Sequence, residues 1–306
     1  MNRVTFLPVR ANISDMDISW PRLHAPYRFS AILLGAAFLL VLFASPLMAA
    51  PKSKLWPRWS AHDPASTQIV DHGDWTRLLQ AHIRPSDDGV VRFDYAGLAA
   101  ADRAALDGYI TQLTGVGVSG LNRREQQAYW INLYNALTVR VVLDHYPVSS
   151  ILKIGISPGL FSIGPWGKKL VSIEGVDVSL DDVEHRILRP IWKDPRIHYA
   201  VNCASIGCPN LIDEAYTADR VDALLEANAI AYVNHPRGAE IRGGALTVSS
   251  IYDWFQEDFG GSEAGVLRHL REYARPELLR DLKLVFEIES YDYDWSLNEA
   301  EDDSDS

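Results

Sequence analysis

Residues 128–143 read AYWINLYNALTVRVVL, so apolar side chains fall on nearly every side of a helix. Such a helix cannot rest on a surface and has to form the buried centre of the fold around it. Asn122-Arg123-Arg124-Glu125 has the spacing of a capping box that opens it. Tyr146-Pro147 closes it, because proline disfavours helical geometry at the residue before it. The pattern predicts one central helix with Trp130, Leu133 and Leu137 in the core.

The elements around this helix are mixed. Lys169–Ile173 and Val176–Val178 alternate about Glu174-Gly175 as a hairpin, and Gly243-Gly244 turns a second one. Ser179, with Asp182 three residues on, predicts a helix through Glu184 and His185 that stops at Pro190. Asp194-Pro195 reads as a turn into a strand, Arg196–Asn202, and Lys283–Glu289 reads as a last strand. Helices are expected from Thr217 to about Val233, from Ser250 to Gly260, and from Glu263 to Tyr273. Without a regular βαβ rhythm, the fold class is α+β, a single domain with mixed or mainly antiparallel strands.

The ends differ in kind from this middle. Arg22, His24 and Arg28 precede an uncharged apolar run, Ala31–Phe43, followed by small residues at Ala44, Ser45, Ala49 and Ala50. That is the anatomy of a signal peptide over residues 1–50, with an uncleaved membrane anchor through residues 29–50 as the alternative. Both readings place the chain outside the cytoplasm, in the periplasm or cell envelope. Residues 51–70 read as a linker, 71–298 as the globular domain, and the acidic stretch 299–306 as a disordered, solvated tail. The net charge is −11, and the leader holds four basic and two acidic residues, which leaves 25 basic against 38 acidic beyond it. Nucleic acid and anionic lipid surfaces are therefore not expected partners.

Four blocks carry a resemblance. They are Glu125–Leu137 (EQQAYWINLYNAL), Ser179–Arg189 (SLDDVEHRILR), Asp194–Pro209 (DPRIHYAVNCASIGCP), and Ser249–Phe255 with Asp258-Phe259-Gly260. In this order they resemble domain-of-unknown-function family 547. The resemblance implies a shared fold and a set of motif positions, but no reaction. A fainter similarity links Gln126 or Gln127 and Trp130 to papain-like and transglutaminase-like hydrolases, whose nucleophile position here holds Tyr129.

The candidate site residues rest on their own chemistry. Asn132 and Asn135 share one helix face among apolar neighbours, and a buried amide left unpaired costs roughly 1–3 kcal/mol. Each must therefore hold a loop backbone, a water or a ligand. Glu184 and His185 are helix neighbours pointing about 100° apart, so they are expected to serve separate networks rather than pair. Alternation along Arg196–Asn202 puts His198, Ala200 and Asn202 on one face, a polar notch. Cys203 and Cys208 are the only cysteines and lie in one loop. For an exported chain the expected state is a disulfide; the alternatives are a reactive or redox-active thiol, with His198 or His185 as base, and a metal held by both thiolates and a histidine. The metal reading is weak without a second cysteine pair or a His-x-x-x-His spacing, and no cofactor is implied.

Two functions follow. One is an envelope module that binds a small ligand or partner protein at Asn132, Asn135, Glu184, His185 and Asn202, with the cysteines as a staple. The other is a thiol-dependent hydrolase, transferase or redox enzyme using Cys203 with His198. The central helix is expected to pack beneath the cysteine loop, bringing His198, Asn202 and Cys203 close to one of its asparagines.

Overall fold

A computed structural model describes residues 51–159 and 162–300. The leader, the anchor alternative and the tail beyond Ala300 lie outside the described residues. Among the described residues no helix is long and apolar enough to cross a membrane.

Eight helices are numbered here in chain order, with seven strands. The first half holds α1 (Gly73–His82), β1 (Ile83–Pro85), β2 (Val91–Phe93), α2 (Ala100–Thr114), α3 (Arg123–His145), β3 (Val171–Ile173) and β4 (Val176–Val178). A π-helix, Asp182–Leu188, runs directly into α4 (Arg189–Trp192). The second half holds α5 (Val221–Val233), β5 (Ala239–Arg242), β6 (Ala245–Ser249), α6 (Ile251–Trp254), α7 (Glu263–Tyr273), α8 (Pro276–Leu282) and β7 (Ser290–Asp292). The sheets are small: β1 with β2 and β3 with β4 pair antiparallel, while β6 pairs antiparallel with β5 and parallel with β7. The class is α+β.

Helix α3 is the buried centre. Every residue from Glu125 to Val142 except Arg140 is buried. Asn122 caps it by accepting from the Arg124 and Glu125 backbone N–H groups. The reciprocal half of the box is absent, since the Glu125 carboxylate accepts from Val70 N at 2.7 Å. Ser179 and Asp182 do form a reciprocal pair: Ser179 Oγ accepts from Asp182 N, and Asp182 Oδ2 accepts from Ser179 N. The first hairpin turns through Glu174 and Gly175, both at positive φ, as a two-residue turn matched to strand twist requires.

Several expectations fail for local reasons. The stretch 51–70 is part of the fold, since Lys54 N and Trp56 N donate to the carbonyls of His185 and Arg186, and Trp59 packs edge-on to Trp130 at 5.1 Å. The acidic end is paired as far as Ala300, whose N–H donates to the Phe93 carbonyl. Pro190 does not stop its helix, because it falls in the first turn of α4, where a proline's missing N–H is tolerated. Arg196–Asn202 is not a strand. Pro195–Tyr199 is a 3₁₀-helix whose N-cap, Asp194, accepts from Arg196 N, so Asp194-Pro195 was a helix start. The last strand is three residues long and begins at Ser290, after α8 and a stretch in which Leu284 and Phe286 are exposed.

Two apolar clusters form the core. The larger surrounds α3, and the smaller lies between β5–β7 and the helices α5 and α7. The 3₁₀-helix straddles their seam, with Ile197 in the first and Tyr199 in the second. The C-terminal segment then crosses the same seam: Ile206 N and Gly207 N donate to the carbonyls of Ser296 and Asp294, and Asn298 N donates to that of Ala204. A Cβ at Gly207 would come within 2.9 Å of Asp294 N, so the crossing requires glycine there.

Leu133 and Leu137 are completely buried on α3. Leu133→Ala or Leu137→Ala should cost roughly 2–5 kcal/mol of unfolding free energy in chemical denaturation, and a loss below about 0.5 kcal/mol at both would contradict the central placement of α3.

Candidate functional site

The seam carries the polar groups that the sequence singled out. Asn135 uses both ends of its amide on the cysteine loop: Nδ2 donates to the Ala200 carbonyl at 2.9 Å and Oδ1 accepts from Asn202 N at 2.8 Å. Asn202 continues the clamp, donating to the Pro209 carbonyl and accepting from Ala204 N. Asn132 likewise brackets Tyr216, donating to its carbonyl and accepting from its N–H. The central helix therefore does lie beneath the loop. The cavity lined by Asn132, Asn135 and Ala200 is only about 10 Å³, room for a single water, and because residues 195–199 are helical, His198, Ala200 and Asn202 do not share the strand face expected of them.

Within the clamp the backbone adopts a rare shape. Ala204 has φ +58, a left-handed conformation that non-glycine residues seldom take, and it folds Cys203 back toward Cys208. The sulfurs lie 3.1 Å apart as free thiols, well beyond a covalent S–S bond of about 2.05 Å. The expected disulfide staple is thus absent; asparagine amides and the crossing C-terminal segment hold the loop instead.

The two thiols are unlike. Cys203 is partly exposed and Cys208 buried. The Cys208 thiol's hydrogen bond, working against burial, holds Cys203 below the ordinary thiol range, helped by the Ser205 hydroxyl at 3.1 Å and the Tyr293 hydroxyl at 3.0 Å. Burial pushes Cys208 the other way, and ionised Cys203 beside it adds to that. One sulfur is prepared to be an anion and its neighbour to remain a thiol.

A second polar cluster sits around the π-helix, a widened helical form often found at functional sites. His198 Nε2 lies 2.7 Å from Asp258 Oδ2, and its Nδ1 lies 3.7 Å from Glu184 Oε1. His198 stacks on Phe255 at 4.3 Å between centroids. Arg189 bonds both Asp258 and Glu257 and places a terminal nitrogen 3.0 Å from His185 Nδ1. Glu184 and His185, expected to point apart, come to 3.8 Å through the ends of their side chains. Burial lowers both histidines, so imidazole is favoured over imidazolium. Burial works to raise Asp258, but the bonds from His198 and Arg189 outweigh it and keep it a carboxylate.

Glu184 joins the clusters. Burial raises it from 4.5 to about 8, against the pull of Arg189 and a hydrogen bond with Tyr134, and charge on Cys203 raises it further. Tyr134 in turn feels the charge of Glu184 and of both thiols. The structure thus brings Asn135, Asn202, Cys203 and Cys208 into one contact network and Glu184, His185 and His198 into an adjoining one. Among the described residues neither ring nitrogen of His198 faces a thiol, since both face carboxylates, and no group of three or more ligand-type side chains is arranged to hold a metal.

Sequence reasoning missed Tyr134, Arg189, Ser205, Asp258 and Tyr293. Tyr134, Arg189, Ser205 and Asp258 stood within the blocks that carry the family resemblance, which was a usable signal. Tyr293 had none, because it meets Cys203 across 90 residues of chain.

The raised Glu184 sets a pH dependence. Below pH 4.5 folded and unfolded chains both hold its proton, whereas between 4.5 and about 8 only the folded chain does, so stability falls as pH rises through that window. Glu184→Gln keeps the shape without the charge. It should stabilise the chain on the order of 2 kcal/mol at pH 8 relative to pH 5, read from denaturation curves at both values; a pH-independent effect would contradict the buried, protonated carboxyl.

No curated protein and no solved structure matches this chain. The family model described as "Protein of unknown function, DUF547" matches residues 118–233, a span holding α3, the π-helix and the cysteine loop. The residues that match the DUF547 family model thus include Glu184, His185, Arg189, His198, Cys203 and Cys208, while Asp258 and Tyr293 lie outside the match.

Proposed function

We propose that this domain exchanges thiols and disulfides through Cys203 and Cys208. The observation that carries the reading is the asymmetric pair: the sulfur of half-buried Cys203, its thiol pKa lowered by the hydrogen bonds around it, lies 3.1 Å from that of buried, proton-retaining Cys208. Cys203 thiolate attacks one sulfur of a partner disulfide, forming a mixed disulfide and releasing one partner thiolate. Cys208, on losing its proton, attacks Cys203 Sγ, closing the intramolecular disulfide and releasing the second partner thiol. Two electrons pass from the dithiol to the partner, and the reverse sequence oxidises a partner dithiol. The partner thiolate released in the first step takes up the Cys208 proton, so the sequence balances without a base from this chain; Glu184, raised to about 8, already holds its own proton.

A cysteine hydrolase with His198 as base has less support, because both ring nitrogens of His198 are already turned to carboxylates. A binding module stapled by a disulfide has less support because the thiols are free. The leader-like residues 1–50 favour an exported setting, where disulfide-bearing partners are found.

Two measurements on one preparation test the proposal. Iodoacetamide labelling of Cys203 should titrate at least about one pH unit below an ordinary thiol near 8.5, and Cys208→Ser should accumulate a mixed disulfide on Cys203 when mixed with a disulfide-bearing peptide. Labelling at ordinary thiol pH together with no trapped adduct would contradict it.

A further inference from the structure

Beside Cys203 lies an aromatic surface that the exchange chemistry does not itself require. Tyr293, whose hydroxyl touches the Cys203 sulfur, packs against Trp295 at 4.7 Å and Trp254 at 4.8 Å between ring centroids. Trp254 and Trp295 stack at 5.4 Å, and Trp166 meets Trp295 edge-on at 5.9 Å. None of these four rings is buried, unlike Trp59, Trp75 and Trp130 in the core. The four are partly buried against the two core clusters, and indoles and a phenol that keep part of their faces accessible while touching one another are the residue types that supply most of the energy in polypeptide recognition.

Along the chain the exposed neighbours of these rings are mainly acidic. Asp253, Asp292 and Asp294 adjoin Trp254, Tyr293 and Trp295 along the chain, and all three are exposed. Among the described residues none is ion-paired with a lysine or arginine. Asp292 Oδ1 accepts from Tyr293 N and Asp294 Oδ1 from Ser296 N, which orients each carboxylate in place. Lys168 is the one basic residue within two sequence positions of the four aromatic residues, and Arg237, which donates to the Ile206 carbonyl, acts on Tyr293 from another segment. Aromatic rings with exposed carboxylates next to them along the chain complement lysine and arginine side chains, which are drawn to the ring quadrupole and to the negative charge.

We infer that this platform docks a basic polypeptide segment, presenting the disulfide of that segment to Cys203. The inference rests on the exchange reading for the purpose of docking, but the docking itself is measurable without exchange. Two short peptides supply the probe, each with serine in place of the exchanging cysteine, one flanked by lysines and the other by glutamates. Binding to the full chain is followed by calorimetry and by tryptophan fluorescence. The lysine peptide should bind at least about tenfold more tightly than the glutamate peptide and weaken as salt is raised. Asp292→Asn with Asp294→Asn, which keeps the oxygen acceptors of both turns, should lower its affinity about fivefold, and Trp254→Ala should lower it as well. Equal or absent binding of the two peptides, or binding unchanged in the asparagine variant, overturns the inference. Exchange with uncharged hydroxyethyl disulfide is measured separately on the unaltered chain: its absence would count against the exchange reading, while the peptide titrations would still decide the docking.

Discussion

The site depends on one buried amide. Asn135 stands in the middle of an apolar helix, and its two ends fix the Ala200 carbonyl and the Asn202 N–H, either side of Val201 in the irregular chain leading into the cysteine loop. Neither backbone group has a strand or helix neighbour to satisfy it, and leaving one of them unpaired would cost roughly 1–3 kcal/mol. With the base of the loop held, Asn202 can clamp Ala204 into its left-handed conformation, and that turn sets the two sulfurs side by side. A helix as apolar as α3 supplies the rigidity, and its few polar side chains supply the address.

The asymmetry of the thiols follows from where the loop lies. It is packed from below by the helix and crossed from above by the C-terminal segment, which delivers the Tyr293 hydroxyl to Cys203. Donors converge on one sulfur while burial isolates the other, and these effects move the two in opposite directions. The imidazole and carboxylate cluster beside them is tied into the seam by Arg189, itself buried and bonded to Glu257 and Asp258. Through it, α4 and the segment after α6 are locked together from the two sides of the seam.

The sequence made some of this legible and concealed the rest for identifiable reasons. The helix was readable because apolar residues on every side leave it no surface position, and the need of Asn132 and Asn135 for backbone partners followed from the cost of burying amides. The nearness of Cys203 and Cys208 was readable from spacing; their redox state was not, because it depends on the donors around them. Asp194-Pro195 was read as a turn although an aspartate followed by proline also starts a helix, and that misreading produced a strand face for His198, Ala200 and Asn202 that the 3₁₀-helix replaces. The π-helix that carries Glu184 and His185 was invisible because no periodicity announces it. Tyr293 belongs to a contact between distant segments, beyond the reach of local pattern.

The central claim is that Cys203 and Cys208 form one reversible redox couple. Equilibrating the folded chain in glutathione buffers of graded potential and reading its mass after acid quenching tests this directly. The account predicts a single two-electron transition in which the chain loses two hydrogens, with both thiols protected from alkylation together and fully recovered on reduction. A glutathione adduct on Cys203 as the end state, or thiols that stay reduced until the chain unfolds, would contradict it.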